Sequence, residues 1–139
     1  MLGDDMKKIL LCIVVIFILI QFSSAFAAED IDNDTANVNE IVIKLLWPEI
    51  QSAVDSFYFP YLTVSPQVAY YYGTEIVEVS DNQLTIETTP YIGPHIGVGE
   101  DKITFNISNS GDVTVSEYEH IKSYELPPHR QSIIKKPLP

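Results

Sequence analysis

The sequence predicts an α+β domain in which an N-terminal helix packs on a four-stranded antiparallel meander sheet. Between Ile43 and Tyr61, apolar residues recur at steps of three or one, which is the stripe of an amphipathic helix. Downstream, short segments alternate apolar and polar residues, as is typical of strands that bury one face only. One-sided burial of this kind favours an antiparallel sheet with the helix on one side.

Pro48 lies inside the helical stripe, where proline lacks a backbone donor and clashes with the preceding turn. It predicts a short helix over residues 40–46 and a longer one over residues 48–59. Because the stripe continues across Pro48, a single kinked helix fits the pattern equally well. Trp47 is predicted to be a large core residue, and Pro60 is expected to end the helix.

Four strands are predicted, over residues 74–80, 84–89, 102–108 and 112–121. The third places Phe105 among its inward-facing residues. In the fourth, the alternation changes phase, which predicts a bulge or twist near Ser116 and Glu117.

The connector from the helix to the first strand is rich in tyrosine, including Tyr70, Tyr71 and Tyr72. A tyrosine cluster can bind sugars or peptides. Here we expect it to cover a small core while its hydroxyls reach water.

The first 27 residues have the organisation of a signal peptide. Lys7 and Lys8 precede an apolar run over residues 9–20, and an Ala-Phe-Ala cleavage sequence ends at Ala27. Met6 is the expected start, because a start at Met1 would add Asp4 and Asp5 to the basic region; Met1 is the alternative start, and an uncleaved anchor is the alternative to cleavage. The protein is therefore expected to be secreted or associated with the cell envelope.

The remaining chain is divided by composition into a flexible acidic linker (28–39), one domain (40–123) and a proline-rich basic tail (124–139). The net charge of −11 argues against nucleic acid and anionic lipid as partners. A membrane would be contacted only through the signal segment. Cys12 is the single cysteine and lies in that segment, which excludes disulfides and cysteine-based metal sites from the domain.

A glycine-rich loop over residues 90–101 carries the candidate site. His95 is followed by Glu100 and Asp101, and one imidazole with two carboxylates could bind a divalent metal or serve acid–base chemistry. The alternative is a structural turn whose glycines supply positive φ angles. The loop lacks a complete metal or cofactor motif, so neither is predicted. His120 is expected to be a surface or rim residue, and His129 lies in the tail.

Three runs carry a family resemblance: LLWPEIQ at residues 45–51, GPH at 93–95 continuing to GEDKITF at 99–105, and His120 followed by YELPP at 124–128. They resemble domain of unknown function 3888, a family of small exported proteins of Bacillus-type bacteria, over about residues 40–128. The resemblance implies export and a compact α+β domain. It implies no activity, cofactor or catalytic residue.

Two functions follow as hypotheses. The first is a non-catalytic domain that binds an unknown envelope or extracellular partner, which the missing catalytic motif favours. The second is a small enzyme with a cavity between helix and sheet, using His95 with Glu100 or Asp101. The expected outline is similar to cystatin-like and nuclear-transport-factor-like folds, which host inhibitors, binding modules and enzymes, so fold does not choose between the two.

Overall fold

The computed structural model describes residues 34–139 and, in isolation, Gly3. The predicted signal peptide, its cleavage site and residues 28–33 of the predicted linker lie outside the described residues. The chain divides into two units, Met1–Val38 and Asn39–Pro139. Of the first, residues 34–38 are helical. The second contains the sheet and the hydrophobic core.

No helix in the described part of the chain is long and apolar enough to cross a bilayer.

Helix α1 occupies residues 34–58 without interruption. Of the two alternatives at Pro48, the single helix is confirmed and two separate helices are wrong; α1 also begins before the predicted start at Glu40. Proline removes one backbone hydrogen bond from the helix. Burial of the apolar stripe on both sides of that position offsets the loss, because most helix stability in proteins comes from packing. The buried residues of the stripe are Ile43, Leu46, Ile50, Ala53, Val54 and Tyr58.

Trp47 is 38% exposed, so its prediction as a core residue is wrong. It lies at the edge of the buried stripe. There its indole Nε1 donates a hydrogen bond of 2.9 Å to the carbonyl of Val68, which explains why a partly polar ring occupies this edge. Phe105 is confirmed as a core residue, since it is fully buried.

Six strands follow the helix in chain order. They are β1 (Thr74–Ser80), β2 (Gln83–Thr88), β3 (Tyr91–Ile92), β4 (Ile96–Gly97), β5 (Gly99–Ile107) and β6 (Val113–Ser123). Four of them form an antiparallel sheet in the order β1-β2-β5-β6. The predicted α+β class is confirmed. The small β3–β4 hairpin is inserted between β2 and β5.

The β5–β6 pairing contains two register shifts. The first leaves Ser116 as an extra residue on β6, which confirms the predicted bulge. The second leaves Ile121 as an extra residue and was not predicted. Each bulge adds one residue to β6. Residues three apart across a bulge, such as Val115 and Tyr118 or His120 and Ser123, therefore face the same side of the sheet.

The residues after β6 pack back on the domain. Leu126 is buried, and a 3₁₀-helix covers Pro128–Ile133. The amide of Thr63 donates 2.8 Å to the carbonyl of Ile133, and the amide of Lys135 donates 2.7 Å to that of Tyr61. The segment predicted as a tail is thus fastened to the end of the helix, because its scattered apolar residues find partners there.

The tyrosines of the connector do not cover the core. Tyr70, Tyr71 and Tyr72 are 40%, 66% and 63% exposed, so that expectation is wrong. The buried positions are taken by Val68 and Ala69 instead. These two residues lie directly before a tight turn that projects the tyrosine rings into solvent.

Candidate functional site

The two bulges of β6 place a polar group of side chains on the side of the sheet that faces α1. The β6 residues on this side are paired in register with β5 residues of the same face: Val115 with Phe105, Tyr118 with Ile103, His120 with Asp101, and Ser123 with Gly99. The face changes from apolar to polar along the strand. The candidate site is the polar end of this face.

Asp101 is the centre of the site and is fully buried. A buried carboxylate is costly unless it is paired and hydrogen-bonded. Tyr58, from the end of α1, donates a hydrogen bond of 2.9 Å to Oδ2. The Nδ1 atom of His120 lies 2.6 Å from Oδ1. Helix and sheet therefore each supply one partner to the same carboxylate.

Burial raises the pKa of Asp101, against the opposing effect of its hydrogen-bonding neighbours, of which His120 is the largest. The pKa of Tyr58 is raised by burial, then by the charge of Asp101 and its hydrogen bond. Tyr118 lies beside the same carboxylate, and its pKa is raised mainly by burial. Its hydroxyl nevertheless lacks the geometry of a hydrogen bond and has no partner among the described residues.

His120 connects the buried carboxylate to the surface. Its side chain is only 6% exposed, and its ring stacks on Phe57 at 5.1 Å between centroids. The Nε2 atom lies 2.8 Å from Oγ of Ser123, which is exposed. Ser123 Oγ also donates 3.1 Å to the carbonyl of Pro139. The result is a continuous polar chain from the helix to the open side of β6.

Gly99 is required at its place in this site. A Cβ atom there would lie 2.5 Å from the carbonyl oxygen of Lys122, 2.7 Å from Cε1 of His120 and 2.8 Å from the hydroxyl of Tyr58. No side chain fits into that space. Glycine therefore allows β6 and the helix end to close around the Asp101–His120 pair.

The structure does not bring His95, Glu100 and Asp101 together. His95 occupies the turn of the β3–β4 hairpin with φ 61°, and its ring packs on Tyr91 at 5.0 Å. Glu100 and Asp101 are consecutive in β5 and so point to opposite faces. Glu100 accepts a hydrogen bond from Tyr124 on its own face. Of the predicted site residues, only Asp101 belongs to the buried polar chain.

Within residues 34–139, no group of three or more His, Cys, Asp or Glu side chains is arranged to hold a metal ion.

A second feature is a groove of about 630 Å³ on the same side of the sheet, beyond Tyr118. It is lined by residues of α1, β5 and β6: Pro48, Glu49, Ser52, Ala53, Ser56, Phe57, Phe105, Val113, Val115 and Tyr118. Its walls are largely apolar. Two of its lining residues, Glu49 and Tyr118, each have a buried side-chain oxygen with no hydrogen-bond partner among the described residues.

Sequence reasoning missed Tyr58, His120 and Ser123. The available signal was the spacing of three between His120 and Ser123. Two residues at this spacing lie on the same face of a strand only if a bulge lies between them. The apolar pattern revealed the bulge at Ser116. It could not reveal the one at Ile121, because the residues around it are mostly polar.

The comparisons with known proteins identify the family. The sequence model described as "Protein of unknown function (DUF3888)" matches residues 38–122, and the chain belongs to this family. No curated protein and no solved structure matches the chain significantly. The cystatin-like or nuclear-transport-factor-like outline therefore stays a prediction.

Proposed function

We propose that this member of the DUF3888 family is an exported binding domain whose groove holds a basic, apolar peptide segment at the cell envelope. The observation that carries the proposal is the groove between α1 and β6. Its volume of about 630 Å³ is within the usual range of ligand sites, roughly 300–1,000 Å³. Export is supported by the signal-like organisation of residues 1–27.

The chemistry of the groove favours an occupant with both apolar and cationic groups. Val113 and Val115 of β6 and Phe105 of β5 offer an apolar wall. Glu49 lines the groove, and its Oε2 atom is buried without a partner in the described residues, so the side chain must turn outward for a ligand to reach that oxygen. An unpaired buried oxygen is costly, so a ligand that donates a hydrogen bond or a positive charge gains from reaching it. The net charge of −11 attracts such a ligand over longer distances.

The shape of the groove favours a peptide. It follows about ten residues of the helix and the first half of β6, which is an outer strand of the described sheet. An outer strand presents unpaired backbone groups along its free edge. An extended segment could pair with that edge while its alternate side chains enter the groove.

The test is a binding measurement with two fluorescent peptides of equal length. One alternates leucine with lysine, and the other alternates leucine with glutamate. We expect fluorescence anisotropy to show saturable binding of the lysine peptide only. Ser52→Trp, which fills the groove from an exposed position, should abolish binding, whereas Ser80→Trp on the distant strand β1 should not.

The role of Glu49 is tested separately. Glu49→Gln should weaken binding of the lysine peptide about tenfold or more, because a hydrogen bond to a charged group is worth roughly 1.5–3 kcal/mol. Glu119→Gln, an exposed change on β6, is the matched control. Equal losses in the two variants would indicate general charge attraction. Binding of a small cationic amphiphile, with no binding of either peptide, would contradict the proposed occupant.

Export is tested by joining residues 1–33 to a reporter that is active only outside the cytoplasm. We expect activity, and N-terminal sequencing of the exported full chain should begin at Ala28. Retention of the full chain in the cytoplasm would overturn this part of the proposal.

A further inference from the structure

We propose that Ser123 is a nucleophile activated by His120 and Asp101, and that the domain cleaves small uncharged esters at the open side of β6. This site is separate from the peptide groove and does not depend on it. The inference rests on geometry. Serine, histidine and aspartate are joined in the order and at the distances that acyl-transfer enzymes of unrelated folds use.

The three side chains differ in burial as their roles require. Asp101 is fully buried, the side chain of His120 is 6% exposed and Ser123 is exposed. The 2.6 Å approach of Asp101 to Nδ1 assigns the ring proton to that nitrogen. Nε2 lies 2.8 Å from the Ser123 hydroxyl and accepts its proton once the carbonyl of Pro139, which accepts that proton in the unreacted state, is displaced. Asp101 positions the ring and stabilises its charged form.

The backbone of β6 supplies a donor for a developing oxyanion. The carbonyl of Lys122 is directed toward Gly99 of β5, and the amide of Tyr124 donates 3.0 Å to the carbonyl of Val98. Both groups point to the β5 side. In an extended strand, the amide of the residue between them, Ser123, points the opposite way, to the free edge. A substrate bound at that edge meets the nucleophile and this N–H together.

The reaction balances with water as the second reactant. Ser123 Oγ forms a bond to the ester carbonyl carbon while its proton moves to Nε2 of His120. The carbon–oxygen bond to the alcohol breaks, and the leaving alkoxide takes that proton. Water then attacks the acyl-serine, giving its proton to Nε2. Ser123 leaves with this proton, and the carboxylic acid departs.

The surroundings select the substrate class. Near this end of the sheet, Glu100 pairs with Lys122 at 3.9 Å and Glu119 lies across from Lys102, so the local charges balance and the net charge of −11 of the whole chain is what repels anionic esters. The serine lies on an open strand edge rather than in a deep cleft, which suits a small acyl group. The Pro139 carbonyl, which accepts from Ser123 in the unreacted state, is displaced by the substrate.

A fluorophosphonate probe tests the nucleophile directly in the full chain. We expect mass spectrometry to find the adduct on Ser123, with Ser116 of the same strand unmodified. Ser116 is the matched control because it is also exposed, and its hydroxyl bonds to the carbonyl of Thr104 rather than to a histidine. Equal labelling of both serines, or none at Ser123, would overturn the proposal.

Hydrolysis of p-nitrophenyl acetate gives the second readout. Ser123→Ala should lose the activity, whereas Ser116→Ala should keep it. Loss of general-base assistance in His120→Gln should slow labelling about 10²-fold or more. Because that variant could unfold, Asp101→Asn, checked for folding by circular dichroism, provides an independent test. Hydrolysis that persists in Ser123→Ala, or labelling at the wild-type rate in folded Asp101→Asn, would also overturn the proposal.

The split between kcat and KM separates positioning from mere structure. Asp101 is the charged group that contacts the ring of His120, and it does not touch the substrate. Asp101→Asn should therefore lower kcat for p-nitrophenyl acetate and leave KM unchanged. An unchanged kcat in the folded variant would contradict the assigned role of Asp101.

Discussion

The two halves of β6 face the same helix and contain opposite chemistry. From Val113 to Tyr118, the strand forms the wall of an apolar groove that remains open. From Tyr118 to Ser123, it closes tightly over a buried carboxylate. The bulges at Ser116 and Ile121 keep both halves turned toward α1.

The difference shows that one strand can form a groove wall in one half and pack tightly in the other. The groove stays open because the helix side chains that face Val115 across it are small. Val115 is accordingly 46% exposed. The closed half is held by specific partners of Asp101, which cannot separate without leaving a charge unpaired in the interior. Substitutions in the closed half should therefore reduce stability more than substitutions in the open half.

The largest effect is expected for His120→Ala. It leaves the buried carboxylate of Asp101 without its closest partner, and breaking a buried pair in this way costs roughly 3–5 kcal/mol. Urea unfolding measures the loss. Ser123→Ala, at the exposed end of the same chain, should change stability by no more than about 0.5 kcal/mol. A loss below about 1 kcal/mol for His120→Ala would show that the closed half does not depend on this pair.

Tyr58→Phe should cost about 1.5–3 kcal/mol, because it removes a hydrogen bond of 2.9 Å to a buried charged group. Tyr118→Phe removes a hydroxyl that makes no hydrogen bond within the described residues, so its cost should stay within about 0.5 kcal/mol. The same unfolding experiment compares both. Equal costs would mean that Tyr118 is a true partner of Asp101.

The pH dependence of stability should differ between the wild type and Asp101→Asn. Burial raises the pKa of Asp101, so the folded state holds the proton more tightly than the unfolded state. Ionisation therefore lowers the stability of the wild type as pH rises from the ordinary carboxyl pKa, about 3.9, to the raised one. The asparagine variant lacks this term. Its free energy of unfolding, relative to that of the wild type, should therefore increase as pH rises across that window. Unfolding at several pH values measures this difference, and a decrease would show that the pKa of Asp101 is not raised by folding.

The smallest effect is expected for Val115→Thr in the open half. The side chain is nearly half exposed, so stability should change by no more than about 0.5 kcal/mol. Binding of the leucine–lysine peptide should weaken, because the apolar wall gains a hydroxyl. Unfolding and anisotropy on the same sample compare the two quantities. A large loss of stability would indicate that the groove is part of the core.

The sheet could be predicted from the sequence because its central strands alternate clearly. The first strand was located at residues 74–80, the range it occupies, and the other predicted boundaries lie within three residues of the observed ones. The helix was harder to predict at Pro48. Local chemistry argues for a break there, and only the continuous burial of Leu46 and Ile50 outweighs it.

The candidate site could be predicted only in part. His95 was conspicuous because glycine and proline flank it, yet its positive φ and its packing on Tyr91 give it a place in a turn. Asp101 was singled out for its neighbours in sequence, whereas its partners come from residues 43 positions before it and 19 after it. Single-sequence patterns describe faces and periods, and they do not contain the strand register that joins such distant residues.

The packing of residues 133–135 against the helix end also determines the order in which parts of the domain can fold. Lys135 donates from its backbone to Tyr61 and from Nζ to the carbonyl of Phe59, at 2.7 Å in each case, across more than seventy residues of sequence. The helix end is synthesised well before this partner. Contacts of such long range form slowly and require both segments to be present. The domain therefore completes its fold only when the helix end and Lys135 are both available, and until then the carbonyl groups of Phe59 and Tyr61 lack these donors.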